Sequence, residues 1–222
     1  MNELQTLLKD YNREHFNDTL IASWEKMYCE DIFPKYWTLL YSILHNMEKT
    51  NSVIEIGCGL GNVTSILCQL GFQKIKSFER NVEIALAARR KIKELFKRAD
   101  VIEIAEFPCK NCLHADILIL VNCVYADDLK NKREYMDFLY NCYVYADYPN
   151  FFLLEVVDNS YIKEDKEFPN FLRLGFEDIK NIFPKHKITF WETYKYPINR
   201  RSKTLYLIEK QAVLDEHFDC DS

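Results

Sequence analysis

Three of the chain's five glycines stand two apart, Gly57, Gly59 and Gly61, with one carboxylate before them at Glu55 and another beyond them at Glu79. Glycine lacks a Cβ and takes positive φ at little cost, so such a loop lets a ligand lie against bare main chain. A carboxylate is an acceptor for vicinal hydroxyls such as those of a ribose. Together these residue types describe a turn that binds a nucleoside.

The flanking sequence supplies the elements that such a turn needs. Val53-Ile54-Glu55-Ile56 is short, mostly β-branched and bounded by glycine, which is the pattern of a buried strand. After Gly61, Val63, Ile66, Leu67 and Leu70 recur at helical spacing, and Gly71 is placed to close the helix. Residues 74–79 form a second strand that ends in Glu79. In doubly wound α/β folds a strand, glycine turn and helix carry the ligand beyond the carboxyl ends of the strands, where helix N-termini offer free N–H groups.

A dinucleotide turn, G-x-G-x-x-G, requires glycine at position 62, which is Asn62. The spacing is instead Glu55-x-Gly57-x-Gly59-x-Gly61, and in this the chain resembles the class I S-adenosylmethionine-dependent methyltransferases. The resemblance implies a doubly wound, mostly parallel seven-stranded sheet with an antiparallel C-terminal hairpin and an N-terminal helical lid. It implies S-adenosyl-L-methionine as cofactor and S-adenosyl-L-homocysteine as product. Gly57, Gly59 and Gly61 then pass under the cofactor, Glu55 helps to hold its amino-acid end, and Glu79 takes the ribose. Electrostatics agree, since the cofactor carries an ammonium and no pyrophosphate for Glu55 to repel.

The same resemblance distributes the remaining roles. Glu106, in the loop after the third strand, is the candidate partner of adenine, and Asn122 is placed against the cofactor. The loop from Asn122 to Asp128 after the fourth strand faces the chemistry, with Tyr125 and Asp127 as catalytic candidates. Asn122 and Tyr125 occupy the ends of what would be N-P-P-Y in amino-directed methyltransferases of nucleic acid, but both prolines are missing. Asp127 and Asp128 also suit a helix N-terminus, where acidic caps are favoured. No metal is expected, although Asp158-Asn159 resembles the metal-binding pair of catechol-type enzymes.

Further strands are expected at 101–104, 116–121, 151–157, 187–194 and 204–209, with Pro197-Ile198-Asn199 turning between the last two. Asn81 caps a helix with Val82, Ala85, Leu86, Ala88, Ile92 and Leu95 on one side and Arg89, Arg90, Lys91 and Lys93 solvated. Helices are also expected over 131–145 and near 176–183. Residues 1–48 form a helical cap whose aromatics could line an acceptor pocket, 49–210 form the core, and 211–222 form a loose acidic tail.

Composition bounds the partners. The net charge of −5 does not suit a broad nucleic-acid track. No apolar run is long enough to span a bilayer, and the start Met1-Asn2-Glu3 is unlike a signal peptide. Eight scattered cysteines fit reduced thiols of a cytoplasmic protein, with Cys109 and Cys112 forming a C-x-x-C that has no second pair. The expectation is a methyltransferase that acts at O or N of a small-molecule acceptor. Its rivals are a tRNA or DNA methyltransferase, an NAD-dependent oxidoreductase, and a catalytically silent module that keeps the cofactor pocket.

Overall fold

The computed structural model describes residues 1–16, 33–109, 112–121, 123, 129–166, 168–194 and 201–211. Eight strands form one sheet: β1 (Ser52–Ile56), β2 (Lys74–Glu79), β3 (Ile102–Ile104), β4 (Ile117–Leu120), β5 (Phe151–Asp158), β6 (Arg173–Leu174), β7 (His186–Tyr194) and β8 (Lys203–Lys210). Their order is β3-β2-β1-β4-β5-β8-β7, with the two-residue β6 paired to β5 off this path. The first five strands and β6 run parallel, while β8 is antiparallel to both β5 and β7. The expected mostly parallel sheet with a closing hairpin is therefore present. β6 is the addition, a pairing too short to leave an apolar pattern.

Among the described residues six α-helices accompany the strands: α1 (Asn2–His15), α2 (Lys35–His45), α3 (Asn62–Gln69), α4 (Val82–Phe96), α5 (Lys132–Tyr145) and α6 (Phe176–Ile182). Alternation along a strand sends successive side chains to opposite faces. Val53 of β1 packs with α1, α2, α3 and α4, whereas Ile54 and Ile56 pack with α5 and α6. Parallel strands covered on both faces read as continuous apolar runs, and β4, Ile-Leu-Ile-Leu, is buried throughout.

Local signals position these elements. Asn81 Oδ1 accepts from Ile84 N–H and Asn131 Oδ1 from Glu134 N–H, capping α4 and α5 as Asn side chains do. Gly71, at φ 84°, ends the α3 turn, with its N–H on Cys68 O and Phe72 N–H on Leu67 O. Pro34 stands just before α2. Residues 195–200, including the expected turn at Pro197, and the tail beyond Gln211 lie outside the described residues.

Two sortings on α4 need correction. Lys91 is not solvated but fully buried, and Arg89 is half-buried with its guanidinium Nε and Nη2 donating to Ile102 O at 3.0 and 2.8 Å. Val82 and Leu86 are instead exposed. The helix buries the stripe Ala85, Ala88, Lys91 and Ile92, which lies one residue round from the assumed face.

The N-terminal helices share this core rather than standing apart from it. Leu4 and Leu8 of α1 and Tyr36, Trp37, Leu40 and Leu44 of α2 are buried with Val63, Ile66 and Leu67 of α3. Trp37 is fully buried, and its Nε1–H donates to Asn62 O at 3.1 Å. Trp37→Ala leaves a large cavity beneath the start of α3 and is expected to lower stability by about 3–5 kcal/mol in urea unfolding. A loss under about 1 kcal/mol would show that α2 does not support that helix.

Candidate cofactor site

β1 and β2 end side by side, with Ile56 opposite Phe78, and Cys58 N–H prolongs the ladder by donating to Phe78 O at 2.9 Å. The chain then turns through Gly61 N–H to Cys58 O at 2.9 Å. Gly57, Gly59 and Gly61 have φ of 65°, 52° and 73°, the left-handed region in which a Cβ is strained. This loop lies where the strand order reverses, since β1 has β2 on one side and β4 on the other. Such a switch point is the ligand crevice of open α/β sheets.

Glu79, at the end of β2, grips the loop. Its Oε2 accepts from Gly59 N–H at 3.1 Å and its Oε1 from Asn81 N–H at 2.8 Å. The side chain thus ties the glycine turn to the start of α4, and each oxygen retains a further lone pair for a ligand hydroxyl. Glu106 stands beside it on an exposed loop, 3.9 Å from Arg80, and the preceding Ala105 N–H donates to Glu79 O at 3.2 Å.

Glu55 is placed differently. It is buried between sheet and α3, and its Oε2 accepts from the hydroxyls of Thr64 at 2.6 Å and Ser77 at 2.8 Å. Burial pushes its carboxyl up from 4.5 to about 7, although both hydroxyl bonds favour the charged form. The Cys58 thiol between these acids is held well above its usual range by burial and then by Glu55 and Glu79. The buried Lys91 acts in the opposite direction on both groups, so the charge beneath the loop is partly offset.

The underside of the loop is built from residues whose roles were not legible. The ammonium of Lys91 donates to Asn62 Oδ1 at 3.0 Å, in the interior. Asn62, which replaces the third dinucleotide glycine, therefore has a structural task of its own. Lys91 stands three residues after Ala88, on the buried stripe, and that spacing was the available signal. Above the loop, Tyr11 of α1 and Phe16 pack against Leu60, between the second and third glycines.

The structure thus brings Glu55, Gly57, Gly59, Gly61, Glu79 and Glu106 to the carboxyl ends of β1, β2 and β3. Asn122, Tyr125 and Asp127 lie outside the described residues. Val121, which precedes Asn122, follows the β4 residue paired with Ile56. Asp158 spends both oxygens internally, on Ser160 N–H at 2.9 Å and the Thr204 hydroxyl at 3.0 Å. Among the described residues no group of three His, Cys, Asp or Glu side chains could hold a metal ion.

Neither a family model nor a curated protein sequence matches the chain. Solved structures do match. Magnesium protoporphyrin IX methyltransferase from Synechocystis, solved with bound SAM, superposes with a TM-score of 0.63 at 15% identity, covering 91% of this chain and 97% of that one. The methyltransferase domain of bacterial CtHen1 gives 0.58 at 13% identity, over 80% and 98%. A SAM-dependent methyltransferase from Clostridium acetobutylicum gives 0.56 at 13%, over 91% and 99%. The chain has the class I methyltransferase fold.

The buried Glu55 makes a pH prediction. Its folded-state pKa lies above its ordinary value, so the native state binds the proton more tightly and stability falls as pH rises from 4.5 to about 7. Glu55→Gln keeps an acceptor for both hydroxyls and removes this titration. Its stability relative to the parent is expected to improve by roughly 3 kcal/mol across that window, followed by urea unfolding at each pH. A difference that does not change with pH would mean that Glu55 is not the buried acid described.

Proposed function

We propose that the protein is an S-adenosylmethionine-dependent methyltransferase that methylates an oxygen or nitrogen of a small-molecule acceptor, in the cytoplasm. The observation that carries this is the Glu79 clamp, a carboxylate fixed on Gly59 N–H at the switch point of a class I methyltransferase sheet. The donor set fits the cofactor. Residues 57–61 contain no cation to hold a phosphate, and Glu79 holds its carboxylate against the loop at Gly59.

When bound, S-adenosylmethionine supplies a methyl group activated by a sulfonium, and leaves as S-adenosylhomocysteine. The chain's own residues position it. Glu79 accepts from the ribose hydroxyls, Glu106 lies on the adenine side, and Gly57 and Gly59 let the main chain touch the ligand. Glu55 sets the potential for the ammonium end from beneath. Tyr11 and Phe16 over Leu60 support the lid role for residues 1–48, because they exclude water from one wall of the loop.

Asn122 completes the cofactor contacts in this proposal, and Tyr125 and Asp127 face the acceptor, which must approach to about 3 Å from the methyl carbon. The small-molecule assignment is supported by the acidic net charge, which gives a nucleic-acid backbone no broad field to follow. Among the described residues Cys58, Cys68, Cys112 and Cys142 are free thiols, in keeping with a reducing compartment.

Calorimetric titration tests the site. S-adenosylmethionine is expected to bind, Gly59→Val to abolish binding, and Glu79→Ala to weaken it by about 1–3 kcal/mol. Binding of NADH in its place would make the protein an oxidoreductase. Unchanged affinity in both variants would place the cofactor elsewhere.

A further inference from the structure

At the opposite end of the sheet lies a cavity of about 580 Å³, within the size range of small-molecule sites. It is bounded by one face of α5, the end of α6, the start of β7 and the end of β8. His186 and Lys210 form the last pair of the β7–β8 ladder, and Lys210 N–H donates to Asn150 O, just ahead of β5. Leu154 of β5 is level with Leu120 and Ile56, where the glycine loop begins. Four residues at roughly 3.3 Å each put the two sites about 13 Å apart along the strands, before any sideways offset.

The walls combine aromatic rings with positive charge. Tyr140 and Tyr148 line the cavity and are about half exposed, while Tyr143 between them is buried, with ring centroids 6.5 and 5.7 Å away. The ammonium of Lys210 reaches Tyr148 O at 3.5 Å, and Lys185 stands on the same rim. The single carboxylate among the described lining residues, Asp137, already has Arg133 at 3.8 Å. The lining is therefore net positive, in contrast to the acidic glycine-loop end.

One wall also holds an unsatisfied polar atom. Tyr143 Oη and His186 Nε2 are 2.9 Å apart, which occupies one side of the imidazole. The other nitrogen, Nδ1, is buried without a hydrogen-bond partner. Buried polar atoms are nearly always paired, and an exception such as this one calls for an explanation in strain, function or a bound water or ion.

We propose that this cavity is a second ligand site, for a small planar aromatic acid, whose ring lies against Tyr140 and Tyr148 and whose anionic group faces Lys210 and Lys185. Aromatic rings give such a ligand apolar area and edge or face contacts, and ammonium groups give it orientation. A neutral ring gains only the first of these.

The test uses 2-naphthoate as probe and 2-naphthamide as its neutral counterpart, with binding to the full chain followed by saturation-transfer NMR. Expected are saturable 2-naphthoate binding that survives excess S-adenosylhomocysteine, and binding of the amide weaker by about tenfold or more. Lys210→Gln and Tyr140→Ala change exposed side chains, so both variants should fold, checked by circular dichroism, and each should weaken 2-naphthoate by about fivefold or more. The proposal is overturned if 2-naphthoate does not bind, if the amide binds equally well, if the variants bind as the parent does, or if S-adenosylhomocysteine displaces the probe. Failure here leaves the glycine-loop titration untouched, because the two experiments read different ends of the sheet.

Discussion

The arrangement of this site depends on one carboxylate holding two peptide N–H groups. Glu79 joins Gly59 to Asn81, which means that the turn after β1 and the turn after β2 are one structure. Charge-assisted bonds of this kind are about twice as strong as neutral ones. Without it, three left-handed glycines at alternate positions would leave the loop with a wide choice of conformations, since glycine loses more freedom on ordering than any other residue. The clamp selects one of these while leaving the carboxylate at the edge of the crevice.

A second acid supports the loop from the other side at a cost in desolvation. Glu55 is buried, and two hydroxyl donors offset part of the penalty for its charge. Those donors come from α3 and β2, so the bonds also fix the angle at which the helix leaves the glycine turn. Lys91 and Asn62 do the same from α4. The polar groups beneath the loop thus form paired contacts among β1, β2, α3 and α4, and the apolar packing around them excludes water.

Much of this was legible because burial on both faces makes parallel strands continuous apolar runs, and because five glycines are few enough for three crowded ones to stand out. The mostly parallel sheet with its closing hairpin followed from the resemblance, and the cap at Asn81 from residue type. The rest was hidden for identifiable reasons. Lys91 was assigned to solvent by its charge, but a buried ammonium is tolerated where acceptors and an opposite charge reach it, and here Asn62 supplies an acceptor from 29 positions away and Glu55 a nearby acid. Val82 and Leu86 were assigned to the core by their apolarity, yet α4 turns Ala85 and Ala88 inward, where small side chains let the helix approach Gly61. A Cβ on Gly61 would meet Ile92 at 3.4 Å and Ala88 at 3.6 Å, ordinary contact distances, so it is the φ of 73° rather than the space that calls for glycine here.

The sheet also separates charge by position. Glu55, Glu79 and Glu106 gather at the carboxyl ends of β1 to β3, whereas Lys185 and Lys210 stand at the other end beside tyrosines. Between exposed groups such as Glu106 and Lys210, screening at physiological ionic strength acts over about 8 Å, less than the distance along the strands between the two ends. An overall charge of −5 therefore says little about the cavity, whose described lining carries Lys185 and Lys210 against one carboxylate, Asp137. Net charge limits what a whole surface can attract, but the choice of a small ligand rests on the few groups that face it, and those groups differ between the glycine loop and the cavity.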